Sequence, residues 1–253
     1  MEGKKVSFLY KIVRWLVWLF APKFRLVGTE NLPKESCVVV GNHSQMFGPI
    51  AGELYFPGRH AVWCAGQMMR RGEVAAYAFE DFWSFKPKWT HGYFRLLSHL
   101  ITPLSLLIFN NADTIAVYHD TRLRTTYRQS VEALQNGRSM IIFPEYNRRF
   151  NNILYAFQDK FVDLARFYHR KTGKELDFVP MYVAPRLKTV FFGEPVRFRA
   201  DAPIEDERER ICREMAGRIT AMAAAQPVHT VVPYRNIPKK DYPTNIPVEV
   251  YSE

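Results

Sequence analysis

Apolar positions along the chain gather into short runs that alternate with stretches of helical spacing. Cys37 to Val40, Ala61 to Ala65, Thr114 to Tyr118, Met140 to Phe143 and Phe178 to Val183 are compact apolar runs, each closed by glycine, proline or polar residues, as buried strands are. Phe24 to Gly28 reads as a further short strand, followed by a turn over Asn31 to Glu35. A helix starts near Pro49, proline being tolerated in a first turn. In Thr121 to Asn136, Leu123, Tyr127, Val131 and Leu134 recur at helical spacing, and Gly137 supplies the stop. Phe157 to Tyr168 is the next predicted helix. Thr189 to Phe192 and Val196 to Phe198 form a pair of strands around Gly193-Glu194-Pro195. Glu205 to Ala225 is an amphipathic helix that turns Ile211, Met215, Ile219 and Met222 inward. Repeated strand-helix alternation predicts an α/β fold with a mixed, largely parallel sheet flanked by helices.

Four stretches fall outside this alternation. At the N-terminus, Lys4 and Lys5 precede an apolar segment from Val6 to Phe20 that Pro22 closes. It is shorter than the ~20 residues that span a bilayer, and Lys11 and Arg14 interrupt it. Lys4, Lys11 and Arg14 share one side of a helical wheel with Trp15, Trp18, Leu16, Leu19 and Phe20 around the rest, the pattern of a basic amphipathic anchor lying in a membrane interface. A signal peptide would lack those internal charges and would end in a small-residue cleavage site; a terminal helix docked on the protein's own core is the other alternative. From Gln67 to Ser98 the chain is aromatic and irregular, and periodicity assigns no element. Phe94 to Phe109 is apolar but carries Arg95, His99 and Pro103, which predicts a buried or membrane-facing helix with a proline break rather than a transmembrane span. Five prolines after Ala225 give an extended strap over the surface. The expected organisation is therefore a membrane-association segment at 1–22, a main domain at 23–226 and an extended tail at 227–253.

Composition narrows the partners. With 253 residues, 47% of them hydrophobic, the chain can bury a full core. Its net charge of +10 favours an anionic partner. The basic residues are scattered and the first segment is amphipathic, so an anionic lipid surface is expected and nucleic acid is not. Cys37, Cys64 and Cys212 lie far apart, without a neighbouring Cys or His at ligand spacing; ordinary packing in a reduced compartment is expected, with no metal site.

The chemistry concentrates at two strand ends. Val38-Val39-Val40-Gly41 runs into Asn42-His43, and a histidine there can act as a base. Met140-Ile141-Ile142 runs into Phe143-Pro144-Glu145, which repeats the design of a buried run, an abrupt turn and a polar group at the tip. Two strand ends sharing one pocket is the expectation.

Asn42-His43, Ile115-Ala116-Val117, Phe143-Pro144-Glu145 and Val179-Pro180, in that order, resemble the motif blocks of the PlsC-type glycerolipid acyltransferases, which include the 1-acylglycerol-3-phosphate acyltransferases. Phe157 to Ala165 and Phe192-Gly193-Glu194-Pro195 are similar to the family's supporting text, so the resemblance runs from about Phe24 to Met222. It implies a glycerol-3-phosphate acyltransferase-like fold and transfer of a fatty acyl group from an acyl-CoA or acyl-ACP thioester to a hydroxyl or amine of a lipid-like acceptor such as lysophosphatidate. No bound cofactor is implied. His43 would be the general base, with Asn42 beside it, and no acyl-enzyme would form. Phe143, Pro144, Glu145 and Arg148 would face the acceptor, with Arg122 and Arg124 close to the second block. A peripheral place on the cytoplasmic face of a membrane follows, within phospholipid biosynthesis.

The chain also departs from the family pattern. Five residues after the histidine, where the family carries an aspartate that holds the imidazole in its useful tautomer, stands Gly48. Loss of an orienting carboxylate costs about 10⁴-fold in rate in serine proteases. Tyr146 follows Glu145 where glycine is usual, and His119 stands where an arginine commonly meets a phosphate. A silent homologue that binds lipid or acyl carrier is the alternative to an enzyme, and the group that faces the second nitrogen of His43 decides how the site is oriented.

Overall fold

A computed structural model of the chain describes residues 6–118 and 120–248. Its elements run α1 (Phe8–Phe20), β1 (Arg25–Val27), β2 (Val38–Gly41), α2 (Phe47–Tyr55), β3 (His60–Ala65), α3 (Arg71–Trp83), α4 (His91–Asn111) and β4 (Thr114–Val117). There follow α5 (Leu123–Gln135), β5 (Ser139–Ile142), β6 (Glu145–Arg149), β7 (Tyr155–Phe157), α6 (Asp163–Thr172), β8 (Asp177–Ala184), β9 (Thr189–Phe192), β10 (Val196–Arg197) and α7 (Ile204–Ala224). Two units emerge: residues 1–21 with 63–126, and residues 22–62 with 127–253. The chain passes between them within β3 and α5. This grouping cuts the sequence differently from the three expected segments, since the N-terminal helix falls with the helical insertion and the tail falls with the sheet.

The second unit is built on strands in the order β1-β9-β8-β2-β5-β3, with β10 on β8. β2 pairs in parallel with both β5 and β8, β3 pairs in parallel with β5, and β1 with β9; β8–β9 and β8–β10 are antiparallel. This is the expected mixed, largely parallel α/β sheet. Central strands β2 and β5 are buried along their whole length, which is why they read as unbroken apolar runs rather than as alternation. Val39, Ile141, Val179 and Val183 on one face join Ala51 of α2 in a single apolar cluster. α7 packs along β8, with Ile211, Met215 and Ile219 fully buried. Three acidic residues in its first turn suit the positive end of the helix, and one of them, Glu207, is buried and takes the Arg199 backbone N–H. Gly137 ends α5 in the left-handed region, φ 71°, where glycine carries no Cβ penalty.

Several expectations are corrected. The helix predicted from Phe157 to Tyr168 begins only at Asp163, because Tyr155–Phe157 pairs with β6 and a short 3-10 turn intervenes. No element is expected over β6; after Glu145 its Tyr146 is half-buried and the other residues are exposed, so no apolar run announces it. β9 and β10 do not pair with each other, since each pairs with β8. The tail has no long element. It is tied down by a Thr230–Thr244 bridge, by Asn245 side-chain bonds to the carbonyls of Ala223 and Gln226, and by a 2.8 Å contact between the Tyr182 hydroxyl and His229 Nε2.

The first unit is a set of helices with β4 next to β3 in strand order. The stretch without periodicity forms α3 and the start of α4, which pack on each other. α4 runs on through Pro103 without the expected break. The Ser98 and Thr102 hydroxyls donate to carbonyls one turn back, at 2.9 and 3.0 Å. Residues 88–111 are long and apolar enough to cross a membrane by length and composition, and only 17% of their most apolar window is buried. Apolar side chains stand in the open along α4 at Tyr93, Leu96, Leu100 and Leu104, and along α1 at Phe8, Trp15 and Phe20; Tyr10 alone is buried on α1 among the described residues. Lys4, Lys5 and His119, singled out in the sequence, lie outside the described residues.

Candidate active site

Because β2 and β5 are parallel and in register, Val40 opposite Ile142, their carboxyl ends release Asn42-His43 and Phe143-Pro144-Glu145 at the same edge of the sheet. Crevices outside such strand ends are the usual binding places of open α/β sheets. The two tips are hydrogen-bonded to each other. The backbone N–H of His43 donates to Glu145 Oε1 at 2.7 Å, and the backbone N–H of Tyr155 donates to Oε2 at 3.2 Å. Glu145 is buried, and burial pushes its carboxyl up to about 8, although the two N–H groups pull it down. It clamps three backbone segments, and both its oxygens are engaged.

Asn42 is engaged in the same way. Its Nδ2 donates to the Val183 carbonyl at 3.1 Å and its Oδ1 accepts from the Val183 N–H at 2.7 Å. This bidentate contact pins the end of β2 to β8, and it leaves the side chain facing backbone. Asn42 holds its neighbour in place.

His43 is half-buried between two rings, Phe143 at 5.5 Å and Tyr234 at 5.7 Å between centroids, both edge-on. Its Nδ1 lies 2.5 Å from the backbone carbonyl oxygen of Gln45. A carbonyl only accepts, so Nδ1 carries the proton and Nε2 the lone pair. Desolvation lowers the imidazole below its ordinary value, against the opposing pull of the Gln45 carbonyl. The ring is therefore neutral at pH 7, with its basic nitrogen defined.

Gly48 sits where the first turn of α2 meets the tip. A Cβ there would lie 2.5 Å from the His43 carbonyl oxygen, 2.7 Å from that of Asn42 and 2.9 Å from the Phe143 ring. Two of those neighbours are backbone, so a side chain needs the loop to move. Residue 48 is thus not a gap awaiting a side chain; main chain fills the space, and the Gln45 carbonyl contacts His43 Nδ1.

Of the remaining predicted residues, Pro144 is buried, and its carbonyl accepts the Gln158 N–H at 2.9 Å. Arg148 is exposed on β6, and Tyr146 is half-buried. Arg122 and Arg124 belong to the other unit. There Arg122 pairs with Asp120 at 2.6 Å and lies over the Tyr118 ring at 3.8 Å, while Arg124 is exposed. The residues that sequence reasoning missed are Gln45, Tyr155, Tyr234 and Tyr242. No Gly or Asn marks the left-handed turn at Ser44 and Gln45, φ 48° and 55°, and the tail tyrosines carry no motif. Burial pushes the thiols of Cys37 up to about 11 and of Cys64 and Cys212 to about 12, so none is a thiolate nucleophile near neutrality. No group of His, Cys, Asp and Glu suited to a metal occurs among the described residues.

The chain matches no protein-family model and no curated protein sequence. Among solved structures it is similar to the 1-acyl-sn-glycerophosphate (LPA) acyltransferase PlsC from Thermotoga maritima, with 19% identity over 85% of this chain and 81% of that one and a TM-score of 0.45.

Two outcomes follow from the geometry. Gly48→Asp and Gly48→Ala are each expected to lower stability by roughly 1–3 kcal/mol through overpacking, read as a shift in denaturant midpoint, and Gly48→Asp is expected to leave activity no higher than wild type. For Glu145 the folded value of about 8 lies above the reference 4.5, so its stabilising contribution is complete below 4.5 and is lost as pH rises through about 8. Thermal midpoints should therefore fall toward pH 9. Glu145→Gln, which keeps one acceptor and cannot ionise, should melt lower than wild type at pH 5 and show a flatter alkaline limb.

Proposed function

We propose that the chain is an acyltransferase of the glycerolipid kind, moving a fatty acyl group from an acyl-CoA or acyl-ACP thioester to the hydroxyl or amine of a lipid-like acceptor such as lysophosphatidate. One observation carries the reading: a neutral imidazole, its Nδ1–H committed to the Gln45 carbonyl, stands where two parallel strand ends bearing the family-like motifs are hydrogen-bonded together. The step needs such a group. His43 Nε2 takes the acceptor proton as the acceptor oxygen bonds to the thioester carbon. The carbon–sulfur bond then breaks, and the departing thiolate takes the proton back. Glu145 and Asn42 fix the tip, Phe143 packs on the ring, and Arg148 offers an exposed cation on β6 for an acceptor phosphate. A silent lipid- or carrier-binding homologue is the second reading, and Gly48 is the observation that favours it.

A membrane partner fits the first unit. Lys11, Arg14, Trp15 and Trp18 line one shallow hollow on α1, which joins cations to interfacial aromatics. The open apolar side of α4 extends that surface. Peripheral attachment to anionic lipid on the cytoplasmic face is the arrangement proposed, with no nucleic-acid partner.

Purified protein given acyl-CoA or acyl-ACP and a panel of lysolipid acceptors should transfer the acyl chain, and His43→Ala should reduce the rate by about 10²–10⁴-fold. Equal transfer by the two proteins would remove the base role. Since burial lowers the His43 value, the acid limb of kcat/KM should lie below pH 6.5. Trp15→Ser combined with Trp18→Ser should release most of the protein from phosphatidylglycerol vesicles in co-sedimentation; undiminished binding would place the lipid surface on another face.

A further inference from the structure

The carbonyl that orients His43 belongs to a strained turn. Ser44 and Gln45 both adopt the left-handed region, φ 48° and 55°, without glycine's freedom. Two such residues in succession persist only where their surroundings over-determine them. Their side chains are held from the tail. Ser44 Oγ donates to the Val232 carbonyl at 3.2 Å, and Gln45 Nε2 donates to the Tyr242 hydroxyl at 2.9 Å, with the Arg235 carbonyl at 3.5 Å. Tyr234 sets its ring edge-on against His43 and contacts Tyr155 at 5.5 Å. The tail is itself anchored: Val231 and Val232 are buried, and Asn245 Oδ1 accepts the His229 N–H at 2.8 Å.

We propose that this C-terminal strap does what the family's aspartate does elsewhere, with Gln45 and Tyr242 as its positioning residues. Tyr242 holds the Gln45 side chain, the side chain holds the left-handed turn, and the turn keeps the carbonyl on His43 Nδ1. The tautomer with Nε2 unprotonated is thereby fixed from a segment nearly two hundred residues away in sequence. The inference rests on His43 being the base, and its test has a readout that does not need turnover.

The readout is the imidazole ¹⁵N spectrum of the full chain, with His43 assigned among the seven histidines by difference from His43→Gln. Wild type should show a protonated Nδ1 and an unprotonated Nε2. Tyr242→Phe removes the nearer acceptor of the Gln45 amide and leaves only the long contact to the Arg235 carbonyl. Gln45→Asn keeps a residue that tolerates the left-handed region but falls short of Tyr242. Both variants should give a mixture of tautomers, and kcat should fall roughly tenfold or more with KM little changed. Either variant alone is sufficient if the other does not fold, as judged by its thermal midpoint. A wild-type spectrum in a folded variant, with kcat unchanged, would overturn the strap's role while leaving His43 as base. A shifted tautomer in a protein that transfers no acyl group would keep the strap's role and sink the catalytic reading.

Discussion

The buried carboxylate of Glu145 is the contact on which the site's geometry depends. Its two oxygens take the backbone N–H groups of His43 and Tyr155, and so join the end of β2, the start of β6 and the start of β7. A buried donor left unpaired costs roughly 1–3 kcal/mol, so both N–H groups favour this carboxyl. Burial in turn pushes the carboxyl toward its neutral form. A polar group at the tip of a buried strand is thus explained first as the closure of a backbone account, and its place next to a histidine follows from that closure. The Asn42 amide does the same work on β8.

Much of this was legible in the chain. Val38 to Val40 and Met140 to Ile142 are unbroken apolar runs because both faces of their strands are covered, and parallel pairing then brings their carboxyl ends to one edge. The inward residues Ile211, Met215 and Ile219 of α7 followed from period alone. Legibility failed where structure is set by partners distant in sequence. β6 exists through pairing with β7, and its Tyr146-to-Arg149 stretch, exposed beyond Tyr146, has no apolar signature. α3 and the start of α4 carry no readable period because large aromatics stand in the open there, as Trp89 in the turn before α4 and Tyr93 on α4 do. The prolines announce the tail as an extended strap but not its buried Val231, Val232 and Asn245, which tie it to the sheet unit.

Gly48 shows how an absent side chain can be misread from sequence. Read along the chain, it stands where the resemblance leads one to expect an aspartate. In three dimensions the Asn42 and His43 carbonyls occupy the space a side chain would enter. Glycine here permits a close approach of helix to loop, and that approach accompanies the turn whose carbonyl reaches His43 Nδ1. One constraint, the short distance between α2 and the tip, leaves no room for a side chain at residue 48 and accompanies the carbonyl contact on His43 Nδ1.

A carbonyl at Nδ1 is not chemically equivalent to a carboxylate. A carbonyl and a carboxylate both fix the Nδ1–H tautomer, but only the carboxylate carries a full charge to oppose the imidazolium that forms as the base works. Desolvation dominates the surroundings of the ring and keeps the basicity of His43 low. A weak, well-oriented base serves best where the acceptor needs little help: a nucleophile held close to the thioester, or an amine, which attacks before it loses its proton. On the proposed function, this geometry would shift the burden of catalysis from proton abstraction to positioning, and the strap proposed to hold the Gln45 turn would be the part of the chain that carries it.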